Sequence, residues 1–352
     1  MTQQPFDFGN LGAMLQQLGA MMQRAEALPE GAVDWEAARQ TARAIIAQHG
    51  DPSVVGSEHE RVSAAVQLAQ LWLDGVVDFP APSLQSSAWS RSEWLEHTFA
   101  GWQSLLEPIA QQLQRSVSET AQSQQLPAEM AAVVGPMLAF AQRMSAVMVS
   151  QQLGQALGAL AKDAWSTSDI GLPLVTPGPT ALVTGNTRAF ADELGIEVRD
   201  LETHLAMREA AAQRLFSAAP WIGPRIRDAI AEYARDVRID AERLQELAGE
   251  FDASNPMALQ QALQQGGLEL PHTDGQAAAL ARVETLIALI EGWIDHVTEA
   301  AQGGRIGSAV AIREALRRRR ATGGPSERTL AQLLGLELRP RRLREASAFW
   351  AA

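Results

Sequence analysis

Apolar residues recur at helical spacing through almost the whole chain, and this period limits the fold more than any other feature of the sequence. Turn residues and helix caps divide the pattern into separate helices. The predicted helices span residues 34–49, with Asp34 as N-cap and Gly50 as stop signal, then 58–74, 93–106, 109–122, 127–163, 187–194, 197–217, 222–236, 241–250, 276–301, 308–320 and 327–334. The sequence therefore predicts a mainly α fold.

One segment departs from the helical period. The stretch LPLVTPGPTALVT contains two short β-prone runs, 172–175 and 181–184, on either side of a Pro-Gly-Pro turn. This pattern predicts one small β-hairpin near 172–184.

The domain organisation follows from the same pattern. Residues 1–30 are predicted to form an N-terminal arm with a short amphipathic helix, and residues 31–352 a single helical domain. The apolar positions of the arm are Leu11, Met14, Leu15, Leu18, Met21 and Met22. With 46% hydrophobic residues, the chain has enough apolar side chains for a sizeable core.

Composition excludes several classes of function. The chain has no cysteine, so disulfides, thiolate metal sites and cysteine nucleophiles are absent. Its net charge of −12 argues against a nucleic-acid partner. No apolar run is long enough to span a membrane, and the start lacks the basic and apolar regions of a signal peptide. We expect a cytoplasmic protein without membrane or nucleic-acid partners.

The helix predicted at 197–217 contains an unusual arginine. Its inward face carries Leu201, Leu205, Arg208, Ala212 and Leu215, at steps of four and three residues. Arg208 therefore points inward with four apolar residues. A buried guanidinium without a partner is very costly, so we expect a carboxylate beside it, unless the side chain simply extends to solvent.

The helix predicted at 276–301 offers such carboxylates. Glu284, Glu291 and Asp295 flank its apolar stripe. We expect Glu291 to point inward, because Gly292 beside it permits the close approach of another backbone. Glu284 and Asp295 are expected to be solvated, since acidic side chains are seldom fully buried.

Several stretches resemble the actinobacterial zincin-like metallopeptidase type 2 family, a group described as hydrolases. They lie in order within roughly residues 150–350, with a looser likeness from the Phe-Gly-rich start onward. They read QQLGQALGALAKD, DIGLPL, REAAAQRLFSAAPWI, LARVETLIALIEGWIDHV and GGPSERTLAQLLGLELRPRRLREA.

The resemblance implies a zincin-like helical domain with a zinc site on an HExxH helix. In such a site two histidines one turn apart bind zinc, and the glutamate between them activates water. Carried over to this chain, the histidine positions are Arg208 and Ala212, the general-base position is Glu209, and the later ligand is Glu291. Because both histidines are replaced, no zinc and no other cofactor is expected, and Glu209 is expected to be inactive as a catalytic base.

Two functional hypotheses from different classes follow. In the first, the chain is a non-catalytic zincin-like scaffold or binding protein, in which Arg208 and Glu291 form an ion pair in place of the metal. In the second, it is a hydrolase or metallopeptidase with a non-standard site around Glu209 and Glu291, helped by Arg208 or His204. His204 lies one turn before Arg208, but it does not share a face with Glu209.

The partner of a binding scaffold is an unknown protein or peptide, and the oligomeric state stays open. Trp165, Trp221 and Trp293 near the motifs are either anchors for such a partner or core residues. The arginines at 317–320 form either a patch for an acidic partner or a solvated helix end that complements the helix dipole.

Overall fold

The computed structural model describes residues 33–83, 85–123, 128–169, 171–175, 177–235, 273–321 and 343–352. These ranges contain ten helices and two short strands: α1 (Trp35–His49), α2 (Gly56–Leu73), β1 (Ser86–Trp89), α3 (Arg91–Ser123), α4 (Ala128–Asp163), β2 (Thr180–Val183), α5 (Thr184–Leu194), α6 (Val198–Ala218), α7 (Ile222–Arg235), α8 (Asp274–Gln302), α9 (Ala309–Ala321) and α10 (Leu343–Ala351). The predicted mainly α fold is confirmed. The predicted N-terminal arm and the helices at 241–250 and 327–334 lie outside the described residues.

Local signals in the sequence set several helix ends. Asp34 caps α1 by accepting a hydrogen bond from the Ala37 backbone NH at 2.9 Å, and Gly50 ends the helix at a φ of 80°. Thr273 and Gln276 form a reciprocal capping box at the start of α8. The two ends of α1 were predicted from Asp34 and Gly50.

Helix α3 is continuous where the sequence predicted two helices. Pro108 lies inside it and cannot donate a backbone hydrogen bond. The neighbouring Leu105, Leu106 and Ile109 are nonetheless buried in the core. Their packing offsets the missing hydrogen bond, so the helix runs on through the proline.

The predicted β-hairpin is wrong. Residues 180–183 do form a strand, but β2 pairs in parallel with β1, with Ser86 opposite Thr180 and Trp89 opposite Val183. Residues 172–175 form bends and loop instead of a strand. Every residue of β2 is buried, as is usual for parallel pairing, and parallel strands need a long connection rather than a tight turn.

Glycines allow α4 to pack tightly on α1. A Cβ atom on Gly154 would lie 2.4 Å from the Ala38 carbonyl oxygen, and one on Gly158 would lie 2.7 Å from Ile45 Cβ. Any larger residue at these two positions would push the helices apart, so the glycines permit this close contact. No helix in the described part of the chain is long and apolar enough to cross a membrane.

Helix α6 lies at the centre of the fold. It packs against α2, α5, α8 and β2, and it also touches α9. From Leu201 to Arg214 every residue is buried. The polar side chains between these two residues therefore lie in the interior, and the candidate site is built from several of them.

Candidate functional site

Helix α6 carries an unusual set of buried ionisable residues. They are Glu202, His204, Arg208, Glu209 and Arg214, each at most 8% exposed. Burial of a charge is very unfavourable without partners, so each of these side chains requires polar contacts from neighbouring elements. Those contacts define the site.

Arg208 lies between two carboxylates of α8. Its guanidinium donates to Glu291 Oε2 at 2.6 Å through Nη2 and to Asp295 Oδ1 through Nη1. Burial by itself lowers the pKa of Arg208, but the attraction of Asp295 and Glu291 outweighs it, so the pKa is raised. The arginine is therefore held as a cation, in a charge-assisted arrangement that joins α6 to α8.

Asp295 corrects one prediction. It was expected to be solvated, but its side chain is only 7% exposed. Helix α8 packs against α2, α6, α7 and α10, so a wider arc of its surface is buried than its apolar stripe suggests. Glu291, expected to point inward, is 1% exposed.

A glycine turn closes over Glu291. Gly171 has a φ of +70°, and a Cβ atom there would lie 3.2 Å from Glu291 Cγ and 3.3 Å from its Oε1. Only glycine adopts this conformation readily, and it also leaves room for the carboxylate. The segment after α4 thus lies directly on the site.

Glu209 faces this same segment. Its carboxylate accepts hydrogen bonds from Thr167 Oγ1, from Ser168 N at 3.1 Å and Ser168 Oγ at 2.5 Å, and from Gln213 Nε2 at 2.9 Å. Glu209 itself is 1% exposed. Four donors satisfy both oxygens, so the carboxylate anchors the segment to α6.

Asp169 organises the turn that supplies these donors. It accepts hydrogen bonds from the Trp165 and Ser166 backbone NH groups, the latter at 3.0 Å, and from Ser166 Oγ at 2.6 Å. Burial raises the pKa of the Asp169 carboxyl despite these donors. Thr167, Ser168 and Gln213 were not predicted as site residues. For Thr167 and Ser168 a signal was available in the Ser-Thr-Ser-Asp run after α4, since these residue types favour bonds to nearby backbone.

The remaining predicted site residues on α6 are His204 and Ala212. His204 Nδ1 pairs with Gln302 Oε1 of α8 at 2.8 Å. Ala212 is completely buried and has no donor atom. The structure thus brings Arg208 and Glu291 together, while His204 and Glu209 lie in separate polar networks.

Two small cavities adjoin the site in the described part of the chain. One of about 20 Å³ lies on the α9 side, lined by Arg208, His204 and Asp295 among others, and one of about 10 Å³ lies beside Ser168 and Asp169. Each holds about one water molecule. A larger cavity of about 720 Å³, around Trp35 and Glu107 between α1 and α3, shares no residue with the site.

The tryptophans near the motifs divide between core and surface. Trp165 is 7% exposed and stacks on Phe190, with 4.7 Å between the ring centroids. Trp293 is partly buried and stacks on Phe79. Trp221 is 61% exposed, so its ring is open to solvent.

The residues of the site do not fit a zinc ion. No two histidines of the chain are four residues apart, so it contains no HExxH sequence. Where the resemblance places the histidines, the chain has a guanidinium that repels cations and an alanine without a donor. Within the described ranges, no three His, Asp or Glu side chains are grouped so that they could hold a metal.

Comparisons with known proteins agree with the fold. A crystal structure of a "putative hydrolase with a novel fold" from Chloroflexus aurantiacus is similar, with a TM-score of 0.57 and 22% identity over 90% of this chain and 85% of that one. At this identity the likeness concerns the fold alone. No curated protein matches the chain. The sequence profile of the zincin-like metallopeptidase family matches residues 33–352, and the chain therefore belongs to that family.

Proposed function

We propose that this chain is a non-catalytic member of its family, a scaffold that binds an unknown protein or peptide. The observation that carries the proposal is the Arg208 guanidinium between Glu291 and Asp295. A fixed positive charge stands where the resemblance places a zinc ligand, and it links the same two helices that a metal would link. The arginine thereby supplies the structural role of the ion without its Lewis acidity.

The state of Glu209 supports the same conclusion. A general base must reach a water molecule or substrate, whereas this carboxylate is buried and accepts hydrogen bonds from Thr167, Ser168 and Gln213. The contact most favourable to the alternative, a hydrolase with a non-standard site, is Ser168 Oγ at 2.5 Å from Glu209. The cavity that adjoins that hydroxyl has a volume of about 10 Å³, space for about one water molecule.

Zinc content tests the proposal directly. The purified, tag-free chain is dialysed against a small amount of zinc, and bound metal is measured alongside the Glu291→Ala variant. We expect far less than one zinc per chain in both proteins, because the site offers carboxylates and a cation in place of imidazoles. About one zinc per chain in the wild type, lost in the variant, would overturn the proposal and make peptidase assays the next step.

A further inference from the structure

Helix α9 is a basic amphipathic helix. Its sequence contains five arginines and one glutamate, a net charge of +4. Ile312 and Leu316 point inward and are 0% and 3% exposed. Arg313, Arg317 and Arg319 remain 26–30% exposed, each directed toward the body of the protein.

The surface beneath α9 is acidic. Arg313 pairs with Glu299, Arg317 Nε lies 3.8 Å from Asp295 Oδ2, and Arg319 Nη2 lies 3.0 Å from Asp163 Oδ1. At the start of the helix, Ser308 Oγ donates to Asp200 Oδ2 at 2.6 Å. We call this surface the acidic groove, defined by Asp163, Asp200, Asp295 and Glu299 from α4, α6 and α8.

An aromatic pair completes the groove at one end. The Arg319 guanidinium lies 4.4 Å from the centroid of the Trp165 ring and 5.7 Å from that of Phe190. Aromatic faces attract guanidinium groups, and here they add to the charge of Asp163. The groove therefore recognises arginine by charge and by ring contact together.

Helix α9 also closes one side of the Arg208 site. The cavity of about 20 Å³ is lined by His204 and Arg208 from the body and by Arg313, Leu316 and Arg317 from α9. Displacement of α9 would expose this cavity. Helix α9 thus separates this polar cavity from solvent.

We propose that the acidic groove is a docking site for a basic amphipathic helix of a partner protein, and that α9 occupies it as an internal ligand. This deepens the proposed function, on which it rests, by naming the class of partner. Such helices bind grooves through apolar anchors at i and i+4, as Ile312 and Leu316 do here.

The contact between α9 and the acidic groove is of a kind that a partner helix can replace. Only two large apolar side chains of α9 are nearly fully buried, and its ion pairs are partly exposed, so dissolved salt weakens them. Because α9 belongs to the same chain as the groove, its effective concentration there is high. A partner helix therefore competes best when the contacts between α9 and the groove are weakened.

A peptide copy of α9 tests the proposal on the full chain. The labelled peptide SAVAIREALRRRRA, residues 308–321, is titrated by fluorescence anisotropy against three chains: wild type, Arg313→Gln/Arg319→Gln, and Arg282→Gln. The last variant loses an arginine–carboxylate pair with Glu232 that lies outside the groove. A control peptide carries Ile312→Asp and Leu316→Asp, which remove its apolar anchors.

We expect the peptide to bind the Arg313→Gln/Arg319→Gln chain at least about tenfold more tightly than the other two, because weaker α9 docking leaves more of the groove free. Binding should fall with salt, and the control peptide should not bind. Equal affinity for all three chains, or equal binding of both peptides, would overturn the proposal.

Hydrogen exchange gives a second readout that needs no peptide. In the wild type, the amides of α9 should exchange faster as salt rises, while those of α8 stay protected. An α9 whose protection does not respond to salt would also refute the proposal. The zinc measurement tests the proposed function separately, so the two proposals can fail independently.

Discussion

Glu291 and Asp295 lie one turn apart on α8 and share the guanidinium of Arg208 from α6. The arrangement places one buried cation between two carboxylates at the junction of two central helices. Replacing all three residues of such a buried ion pair by apolar ones changes the free energy of unfolding little. Removing one partner alone is costly, because it leaves a buried charge unpaired. The stability of the fold should therefore depend strongly on which member is changed.

Replacement of Arg208 alone should be severely destabilising. Arg208→Met removes the cation that two buried carboxylates share, and we expect a loss of about 3–5 kcal/mol in the free energy of unfolding. Urea denaturation measures this loss. The matched control is Arg282→Met, which removes a pair 51% exposed at the arginine and should cost less than about 1 kcal/mol. Similar losses in both variants would contradict the structural role of Arg208.

Introduction of two histidines, at positions 208 and 212, should create a zinc site. We expect Arg208→His/Ala212→His to bind about one zinc per chain, with Glu291 as the third ligand, and to melt at a higher temperature when zinc is present. Arg208→Gln/Ala212→Gln is a control of similar size with amides in place of imidazoles, and it should bind none. A folded double-histidine variant without zinc affinity would show that the helices do not hold a zincin geometry.

Glu209 should contribute to stability rather than to catalysis. Glu209→Gln replaces charge-assisted hydrogen bonds from Thr167 and Ser168 by weaker ones, and we expect a loss of about 1.5–3 kcal/mol. Thermal and urea unfolding measure it, with Glu197→Gln at the exposed start of α6 as the control. A variant as stable as the wild type would mean that Glu209 does not anchor the segment that contains Thr167 and Ser168.

Gly292 should be required for the docking of α10. A Cβ atom there would lie 2.7 Å from Ala346 Cβ and 2.8 Å from the Ser347 backbone nitrogen. We expect Gly292→Ala to cost about 1–3 kcal/mol and to increase hydrogen exchange in α10. Gly56→Ala, where the new Cβ atom would contact nothing within 4 Å, should be tolerated. Unchanged exchange in α10 would contradict the close contact.

Glu202 should make stability depend on pH. Its side chain is fully buried 3.2 Å from Arg61, and burial raises the pKa above the ordinary 4.5 although Arg61 lowers it. A raised carboxyl pKa means that the folded protein binds the proton more tightly. The contribution of Glu202 is therefore greatest below about pH 4.5 and falls as pH rises through the folded-state pKa.

Urea unfolding between about pH 4 and about pH 7 tests this sign. The stability of Glu202→Gln, measured relative to wild type, should improve as pH rises, because glutamine has no proton to lose. The prediction would be contradicted if the difference in unfolding free energy between Glu202→Gln and wild type stayed constant with pH or changed in the opposite direction.

The sequence predicted those parts of the site that depend on helical period. Arg208 shares a face with apolar residues, and it is buried as that pattern indicates. Gly292 was expected to admit another backbone, and α10 packs there. These features follow from which residues share one face of one helix, which local sequence specifies.

Contacts between distant segments could not be predicted in the same way. Thr167 and Ser168 reach Glu209 across about 40 positions, and nothing in their local pattern names that partner. The strand Ser86–Trp89 has a weak β preference and forms because β2 pairs with it. Burial of Asp295 likewise depends on how many helices surround α8, which only the packed structure reveals.

The parallel pairing of β1 with β2 has a consequence for how the chain folds. Ser86 meets Thr180 only after α3 and α4, two of the longest helices, have been placed between them. Bringing the ends of so long a segment together costs chain entropy before the strands gain anything from pairing. Local helices form within about a microsecond, whereas such non-local contacts slow folding. We expect early helix formation followed by a much slower phase in which the two strands meet and α6 becomes enclosed.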